Sequence, residues 1–186
     1  KLWVGPGVGP IDRFLGMDAI PDSARRYVDL YQRYGLTKTN IIASDLRNNS
    51  MNIYFINDQD MHRDPQLYAD LLDELGFSVP DADMLAKIAT TPSIVFTYSW
   101  DSNEIERFCA YVPTPDLAHA PFDRAPMLET YLNAVPSQTP GRPLAIFGYT
   151  YGRHSDYIKL ETDYSGTIGL AFQSATTQPS PLYNES

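Results

Sequence analysis

Three stretches of the chain alternate apolar and polar residues with a period of two, the mark of strands that bury one face. They are Ile41 to Phe55, Ser93 to Val112 and Leu144 to Asp163. Each is interrupted by turn-forming residues, at Asn48-Asn49, around Asp101-Ser102-Asn103 and at Gly152-Arg153. With β-branched and aromatic residues in the arms, each stretch reads as an antiparallel hairpin. The turn centres at 48, 102 and 153 recur about every 50 residues, which points to a repeated supersecondary unit.

Between the hairpins the period changes to that of a helix. Asp22 to Tyr34 places Ala24, Tyr27, Val28 and Tyr31 at i, i+3, i+4 and i+7, opens on Pro21-Asp22-Ser23 and stops at Gly35. Asp64 to Leu75 carries Leu67, Leu71, Leu72 and Leu75 on one stripe, with Pro65 in its first turn and Gly76 as its stop. Shorter helices are expected at Asp83 to Ala89, Arg124 to Ala134 and Thr167 to Ser174. Pro-rich loops, Pro113 to Pro121 and Pro136 to Pro143, separate units without the length of a domain linker. Residues 1–175 therefore read as one domain of α+β class, and residues 176–186 as a polar, frayed tail.

Strand parity divides the arms into two faces. Met51, Ile53, Phe55, Ile94, Phe96, Phe108, Ala110, Val112, Ile158 and Leu160 form an oily face that must lie under the helices. Asn52, Tyr54, Ser93, Val95, Thr97, Arg107, Cys109, Tyr111, Lys159, Glu161 and Asp163 fall on the other. Two architectures satisfy this pattern: an antiparallel sheet with its mixed face in water, or a barrel with helices outside and the mixed face lining a wet lumen. Single cations among aromatics and small polar groups suit a lumen better than a solvated face, which carries Lys, Glu and Thr throughout.

Composition narrows the functions. The 186 residues are 43% apolar and 20% charged, values of a soluble globular domain. Lys and Arg number 14 against 23 Asp and Glu, and the net charge of −9 argues against an extended nucleic-acid surface. No apolar run approaches the roughly 20 residues of a membrane helix. The single cysteine, Cys109, forms neither an internal disulfide nor a Cys-rich metal site. With no signal-peptide pattern, the expected compartment is the cytoplasm. A first residue of Lys1 rather than Met leaves open whether the chain starts where its gene does.

Local motifs carry little chemistry. Gly5-Pro6-Gly7-Val8-Gly9 lacks the Lys-Ser/Thr ending of a P-loop and reads as a flexible loop. Asn57-Asp58-Gln59-Asp60 reads as a polar loop leading into a helix, and His62, His119 and His154 have no partners at metal-ligand spacing. The sequons at Asn48 and Asn184 mean little without a secretion signal, and no Gly-x-Ser-x-Gly element is present.

A dispersed set is more informative. Lys1, Arg107 and Lys159 each fall within an expected strand on the mixed face. Several cations around one lumen need an anion to neutralise them, and converging charge-assisted donors are how a diphosphate is held. Trp3, Tyr54 and Tyr111 on the same face suit an apolar, electron-deficient partner, because ring faces attract cations. Diphosphate together with a carbocation is the chemistry of prenyl transfer. The alternative is a set of ordinary strand-edge cations and core aromatics.

The chain resembles the soluble aromatic prenyltransferases of the ABBA barrel family. The resemblance rests on Arg33-Tyr34-Gly35-Leu36, on Asp45 with Met51-Asn52-Ile53-Tyr54-Phe55, and on Asp73-Glu74-Leu75-Gly76-Phe77-Ser78-Val79-Pro80. It continues through Trp100 with Ile105-Glu106-Arg107-Phe108-Cys109, and Tyr157-Ile158-Lys159-Leu160. It implies an antiparallel barrel built from ααββ repeats inside a ring of helices, and transfer of a dimethylallyl or geranyl group from its diphosphate to an aromatic acceptor. Carried over residue by residue, it implies that Lys1, Asn52, Arg107 and Lys159 contact the prenyl diphosphate. Asn48 stands at a position often basic in the family, and Arg47 beside it is carried as a further diphosphate-binding candidate. Tyr54 would neighbour the phosphates or the prenyl chain, and Trp3, Asn40, Val95 and Tyr111 would shape the prenyl and aromatic pockets. Glu161 is the first candidate for the base that removes the ring proton and Asp163 the second, with pairing to Lys159 or Arg107 as the competing role.

The chain departs from the family in reading as about seven strands, fewer than the closed barrel holds, as though it began mid-barrel. The open edges of such a sheet lead us to expect pairing with another copy or a segment not included. No cofactor is implied by the residues present, and Mg²⁺ dependence stays open, because the acidic ligand of the metal-dependent members would fall outside them. A non-catalytic barrel for an amphipathic small molecule is the competing class; it calls for an apolar lumen, against which Arg107 and Lys159 speak. An intracellular ββα-repeat sensor is a third.

Overall fold

A computed structural model of the chain describes residues 1–5, 7–57, 63–135 and 144–163. The expected helix Thr167 to Ser174, the loop Pro136 to Pro143, residues 58–60 of the acidic loop, His62, the second sequon and the tail 176–186 lie outside them. The strands are β1 (Leu2–Val4), β2 (Gly9–Pro10), β3 (Lys38–Asp45), β4 (Ser50–Ile56), β5 (Ser93–Ser99), β6 (Ile105–Thr114), β7 (Leu144–Gly152) and β8 (Tyr157–Asp163). The helices are α1 (Ile11–Leu15), α2 (Asp22–Arg25), α3 (Val28–Arg33), α4 (Pro65–Glu74), α5 (Ala82–Ile88) and α6 (Pro126–Ala134), with a 3₁₀ turn at Leu117–His119.

All pairings are antiparallel. The sheet runs β1-β3-β4-β5-β6-β7-β8, an open half-barrel of seven strands, with β2 paired to β3 off this path. The three expected hairpins are β3–β4, β5–β6 and β7–β8, and helical elements precede each of them, so the ααββ unit recurs. The last turn falls slightly later than expected, between Gly152 and Tyr157.

Local chemistry accounts for the helix ends. The Asp64 carboxylate accepts from the backbone N–H groups of Gln66 and Leu67, and Pro65 occupies the first turn, where its missing N–H costs nothing. Gly76, at φ +69°, provides the left-handed exit from α4. Asp81 caps α5 in the same way through Met84 N–H. The stretch expected as one helix from Asp22 to Tyr34 is instead two, α2 and α3, because its halves have different anchors. Ser23 Oγ donates to the Ser99 carbonyl and Arg25 Nε to the Leu15 carbonyl, whereas the Tyr27 hydroxyl between them donates to Glu104 across the molecule at 2.7 Å.

The oily face packs as parity demands. Met51, Ile53, Phe55, Ile94, Phe96, Tyr98, Phe108, Ala110, Phe147 and Tyr149 share one buried core with helical residues such as Tyr31, Tyr68, Leu71, Leu72 and Ile88. The opposite face carries a second, smaller cluster of Ala43, Tyr54, Val95, Cys109, Tyr111 and Ile146, drawn only from strands. Helices therefore cover one face of the sheet among the described residues. The aromatic centre is Tyr31 against Phe55 (ring centroids 5.0 Å apart) and Phe96 (6.2 Å), with Phe108 6.1 Å from both Phe96 and Tyr68.

Two buried phenols cross this core. Tyr31 donates to the Ala24 carbonyl at 2.9 Å, which leaves Tyr98 as the donor in the 2.6 Å contact between the two hydroxyls. Tyr31→Phe leaves the Tyr98 hydroxyl without a partner and the Ala24 carbonyl with only the 3.5 Å bond from Tyr27 N–H, whereas Tyr98→Phe removes only one donor. We expect Tyr31→Phe to cost about 2–3 kcal/mol and Tyr98→Phe about 1 kcal/mol, read from urea unfolding midpoints. Burial also holds the phenols of Tyr31, Tyr68 and Tyr98 above the ordinary tyrosine value. The native state thus binds these protons more tightly than the unfolded chain does. The stability they contribute is intact below about pH 10 and is lost as pH rises beyond it. The urea midpoint should fall on that alkaline side, with phenolate absorption appearing together with unfolding.

Candidate active site

The strand-only face is where the sequence placed its cations, and the register shows how they are set out. One row across the sheet reads Trp3, Ala43, Asn52, Thr97, Arg107, Gly152 from β1 to β7. The next reads Ile41, Tyr54, Val95, Cys109, Thr150, Tyr157 from β3 to β8. A third reads Ser93, Tyr111, Gly148, Lys159 from β5 to β8, and a fourth Pro113, Ile146, Glu161. Parity thus brings Asn52, Tyr54, Val95, Arg107, Tyr111, Lys159 and Glu161 onto one surface, as the alternation predicts. Asp163 pairs with Leu144 at the end of β8.

The charges at the two ends of this surface influence one another across its concave side. Lys1 precedes β1 at one end of the strand order and Lys159 lies on β8 at the other. Yet the Lys1 ammonium, at an exposed position, is held below the ordinary lysine value, first by partial desolvation and next by the charge of Lys159. Asp45 opposes that shift, Arg107 adds to it and Glu161 opposes it. Three cations therefore share one electrostatic neighbourhood on the concave face, and like charges so gathered favour an anion between them.

Lys159 is the most constrained of the three. Its ammonium donates to the Tyr111 hydroxyl, lies 4.4 Å from the centre of the Tyr111 ring and stands 3.8 Å from Glu161 Oε1. Tyr111 is buried, and its phenol is pushed upward, first by desolvation, so it remains a neutral donor and acceptor. Tyr54 stacks on Tyr111 with centroids 5.9 Å apart, and Trp3 Nε1 donates to the Tyr54 hydroxyl at 3.4 Å. Trp3 is 58% exposed on the edge strand, so it borders the aromatic wall instead of belonging to its core. Deeper in, Thr97 Oγ1 donates to Asn52 Oδ1 at 3.0 Å, which fixes the Asn52 amide.

The remaining expected site residues are placed unevenly. Val95 is buried between Tyr54 and Cys109 in its row, a short apolar wall. Asn40 is the extra residue where the β3–β4 register shifts, and its buried Oδ1 has no hydrogen-bond partner in the structure, an acceptor open to a donor. Arg47 lies in the exposed turn between β3 and β4, off the strand face that carries the other cations. Beside it the Asn48 amide donates to the Asp45 carboxylate at 2.9 Å. Among the described residues no group of three or more His, Cys, Asp or Glu is placed to hold a metal ion, and no helix is long and apolar enough to cross a membrane.

Reasoning on single residues missed Thr97, Thr150, Gly148 and Gly152. Thr97 carried a parity signal, as a small polar residue beside Arg107 on the mixed face. Gly148 carried the signal of a glycine inside a strand, which marks close approach of another group. Gly152, which the turn pattern places in the last hairpin's turn, ends β7 opposite Arg107.

A family model described as aromatic prenyltransferase Orf2 matches residues 1–175. The chain is 27% identical over 177 residues to a 4-hydroxyphenylpyruvate 3-dimethylallyltransferase of Streptomyces niveus, covering 90% of this chain and 52% of that protein. It is 27% identical over 146 residues to a 5,10-dihydrophenazine-1-carboxylate 9-dimethylallyltransferase of Streptomyces anulatus, covering 78% and 48%. It is 25% identical over 168 residues to a furaquinocin biosynthesis prenyltransferase of Streptomyces sp. (strain KO-3988), covering 88% and 54%. The chain spans about half the length of the curated relatives it matches.

Cys109 reports on the integrity of this surface. It is buried in the second row, and its thiol is pushed above the ordinary cysteine value, first by burial and against the pull of Lys159. Since the thiolate is the reactive form, native protein at neutral pH should label slowly with iodoacetamide, and denatured protein should label fully. Fast native labelling would mean that the concave face opens.

Proposed function

The chain belongs to the aromatic prenyltransferase Orf2 family, and on that premise we propose that it transfers a dimethylallyl or geranyl group from its diphosphate to a small aromatic acceptor by electrophilic substitution. The observation that carries this reading is the gathering of Lys1, Arg107 and Lys159 on one concave, aromatic-walled face. A non-catalytic carrier of an amphipathic ligand needs no more than one cation for its head group, whereas a departing diphosphate draws on several.

In this proposal the diphosphate lies against Lys1, Arg107 and Lys159, with the Asn52 amide as a neutral partner. The bond between the allylic carbon and the diphosphate oxygen breaks, and the charge that grows on the leaving oxygens is met by donors already in place, typically the largest catalytic contribution. The allylic cation forms beside the buried rings of Tyr54 and Tyr111, whose faces stabilise positive charge, with Trp3 at the edge of that wall. An electron-rich ring carbon of the acceptor, held within reach, closes the new bond. Asn40 and Val95 border the pocket that receives it.

The ring proton must then leave. Glu161 lies two residues beyond Lys159 on the same face, about 6.6 Å further along the strand, which suits action on the acceptor. It stands 3.8 Å from the Lys159 ammonium, so binding of diphosphate to Lys159 would loosen that pair and leave Glu161 free to accept the proton. Asp163 follows at the next position of the same parity.

The deciding measurement is release of diphosphate from dimethylallyl and geranyl diphosphate in the presence of a panel of phenols and indoles, with prenylated product identified by mass. Arg107→Ala and Lys159→Ala should each lower turnover on the order of 10²-fold, with thermal unfolding little changed because both side chains are partly exposed. Glu161→Gln should abolish turnover and leave binding of the prenyl diphosphate unchanged. Near-normal turnover of Glu161→Gln would assign Glu161 to the ion pair and pass the proton to Asp163, water or the released diphosphate. Failure of every donor and acceptor pair to release diphosphate would refute prenyl transfer.

A further inference from the structure

On its concave side β7 presents Ile146, Gly148, Thr150 and Gly152 in turn, so two of four positions lack a side chain. Neither glycine has a positive φ, so the backbone does not call for glycine at either position. Their neighbours do. Gly148 stands between Tyr111 on β6 and Lys159 on β8. A methyl group there would lie 2.6 Å from Cε and 2.8 Å from Cγ of Lys159, and 3.2 Å from Cys109 Sγ. Carbon atoms in favourable contact lie about 3.5–4.0 Å apart, so the lysine stem rests directly on bare backbone. From there it crosses β7 and delivers its ammonium to the hydroxyl and ring face of Tyr111. Glycine inside a strand weakens the strand, and here the missing side chain is the path of the lysine.

We propose that Gly148 is a positioning residue for prenyl transfer: its bare backbone is the track on which the Lys159 side chain lies, and it sets where the ammonium meets the diphosphate. This rests on the prenyl-transfer reading above. Gly152 stands in the same relation to Arg107, whose Cγ would lie 2.8 Å from a methyl group at that position. There the carbonyl oxygen of Glu106, at 3.2 Å, would crowd the methyl group as well, so Gly148 is the cleaner test.

The test is a double-mutant cycle of Gly148→Ala and Lys159→Ala, followed by steady-state kinetics, calorimetric binding of inorganic diphosphate, and thermal unfolding. Gly148→Ala should lower turnover on the order of 10²-fold, the scale of an ångström-sized misplacement of a catalytic group. It should weaken diphosphate binding and leave KM for the aromatic acceptor unchanged. In the Lys159→Ala background the same substitution should cost nothing further, because the track then has no occupant. Near-wild-type behaviour of Gly148→Ala, or an equal loss in both backgrounds, overturns the proposal. If Gly148→Ala fails to fold alone but folds together with Lys159→Ala, the collision with Lys159 is established. If neither folds, something other than Lys159 excludes the methyl group and the proposal fails. Diphosphate binding without turnover in the wild type would refute prenyl transfer and leave Gly148 to be judged by the binding cycle; no diphosphate binding at all would end both.

Discussion

Successive side chains of a strand point to opposite faces, and that alternation is the constraint on which this molecule rests. Once Phe55, Phe96, Phe108 and Phe147 must lie beneath the helices, the residues between them have no choice of side. Asn52, Tyr54, Thr97, Arg107, Cys109, Tyr111 and Lys159 are then carried to the concave face together. A register slip of one residue would send the cations into the aromatic core and the phenylalanines into the cavity, so core packing enforces the geometry of the site. Stability and chemistry share one registration.

Both faces bury polar groups, and neither pairs all of them. Under the helices Tyr98 donates to Tyr31 and Tyr31 to the Ala24 carbonyl, while the buried Tyr149 hydroxyl has no partner. On the concave face the pairing is partial. Lys159 is shared between Tyr111 and Glu161, Lys1 is drawn by Asp45 and repelled by Lys159 and Arg107, and Asn40 keeps an unpartnered oxygen. Incomplete satisfaction costs stability in a core, and on a cavity wall it marks the groups available to a ligand. The aromatic wall of Tyr54 and Tyr111 works alongside these charges, since a neutral phenol can anchor a lysine without cancelling its charge.

Much of this was legible in the chain because the relevant physics is local. The period of two along each hairpin, the turn residues at Asn48-Asn49 and Asp101-Ser102-Asn103, and Pro65 and Gly76 at the ends of α4 each act within a few residues, and the structure carries them where the pattern placed them. The faces of Arg107, Tyr111, Lys159 and Glu161 followed from parity alone. Where the pattern ran long, distant contacts intervened: the helix expected from Asp22 to Tyr34 divides because Ser23 is held by Ser99 and Tyr27 by Glu104.

Which face each side chain occupies was thus determined by the sequence, through an alternation that any strand obeys. Which residues meet was decided only by the tertiary structure. Lys1 and Lys159 are separated by nearly the whole described chain and sit at opposite ends of the strand order, and only the fold lets their charges influence one another. Arg47, a candidate for the anion site from sequence, lies in the exposed turn between β3 and β4, off the shared surface. Gly148 has no chemistry of its own to read. It acquires a role because pairing places Lys159 beside it, and the space above a glycine has meaning only when a neighbouring strand supplies what fills it.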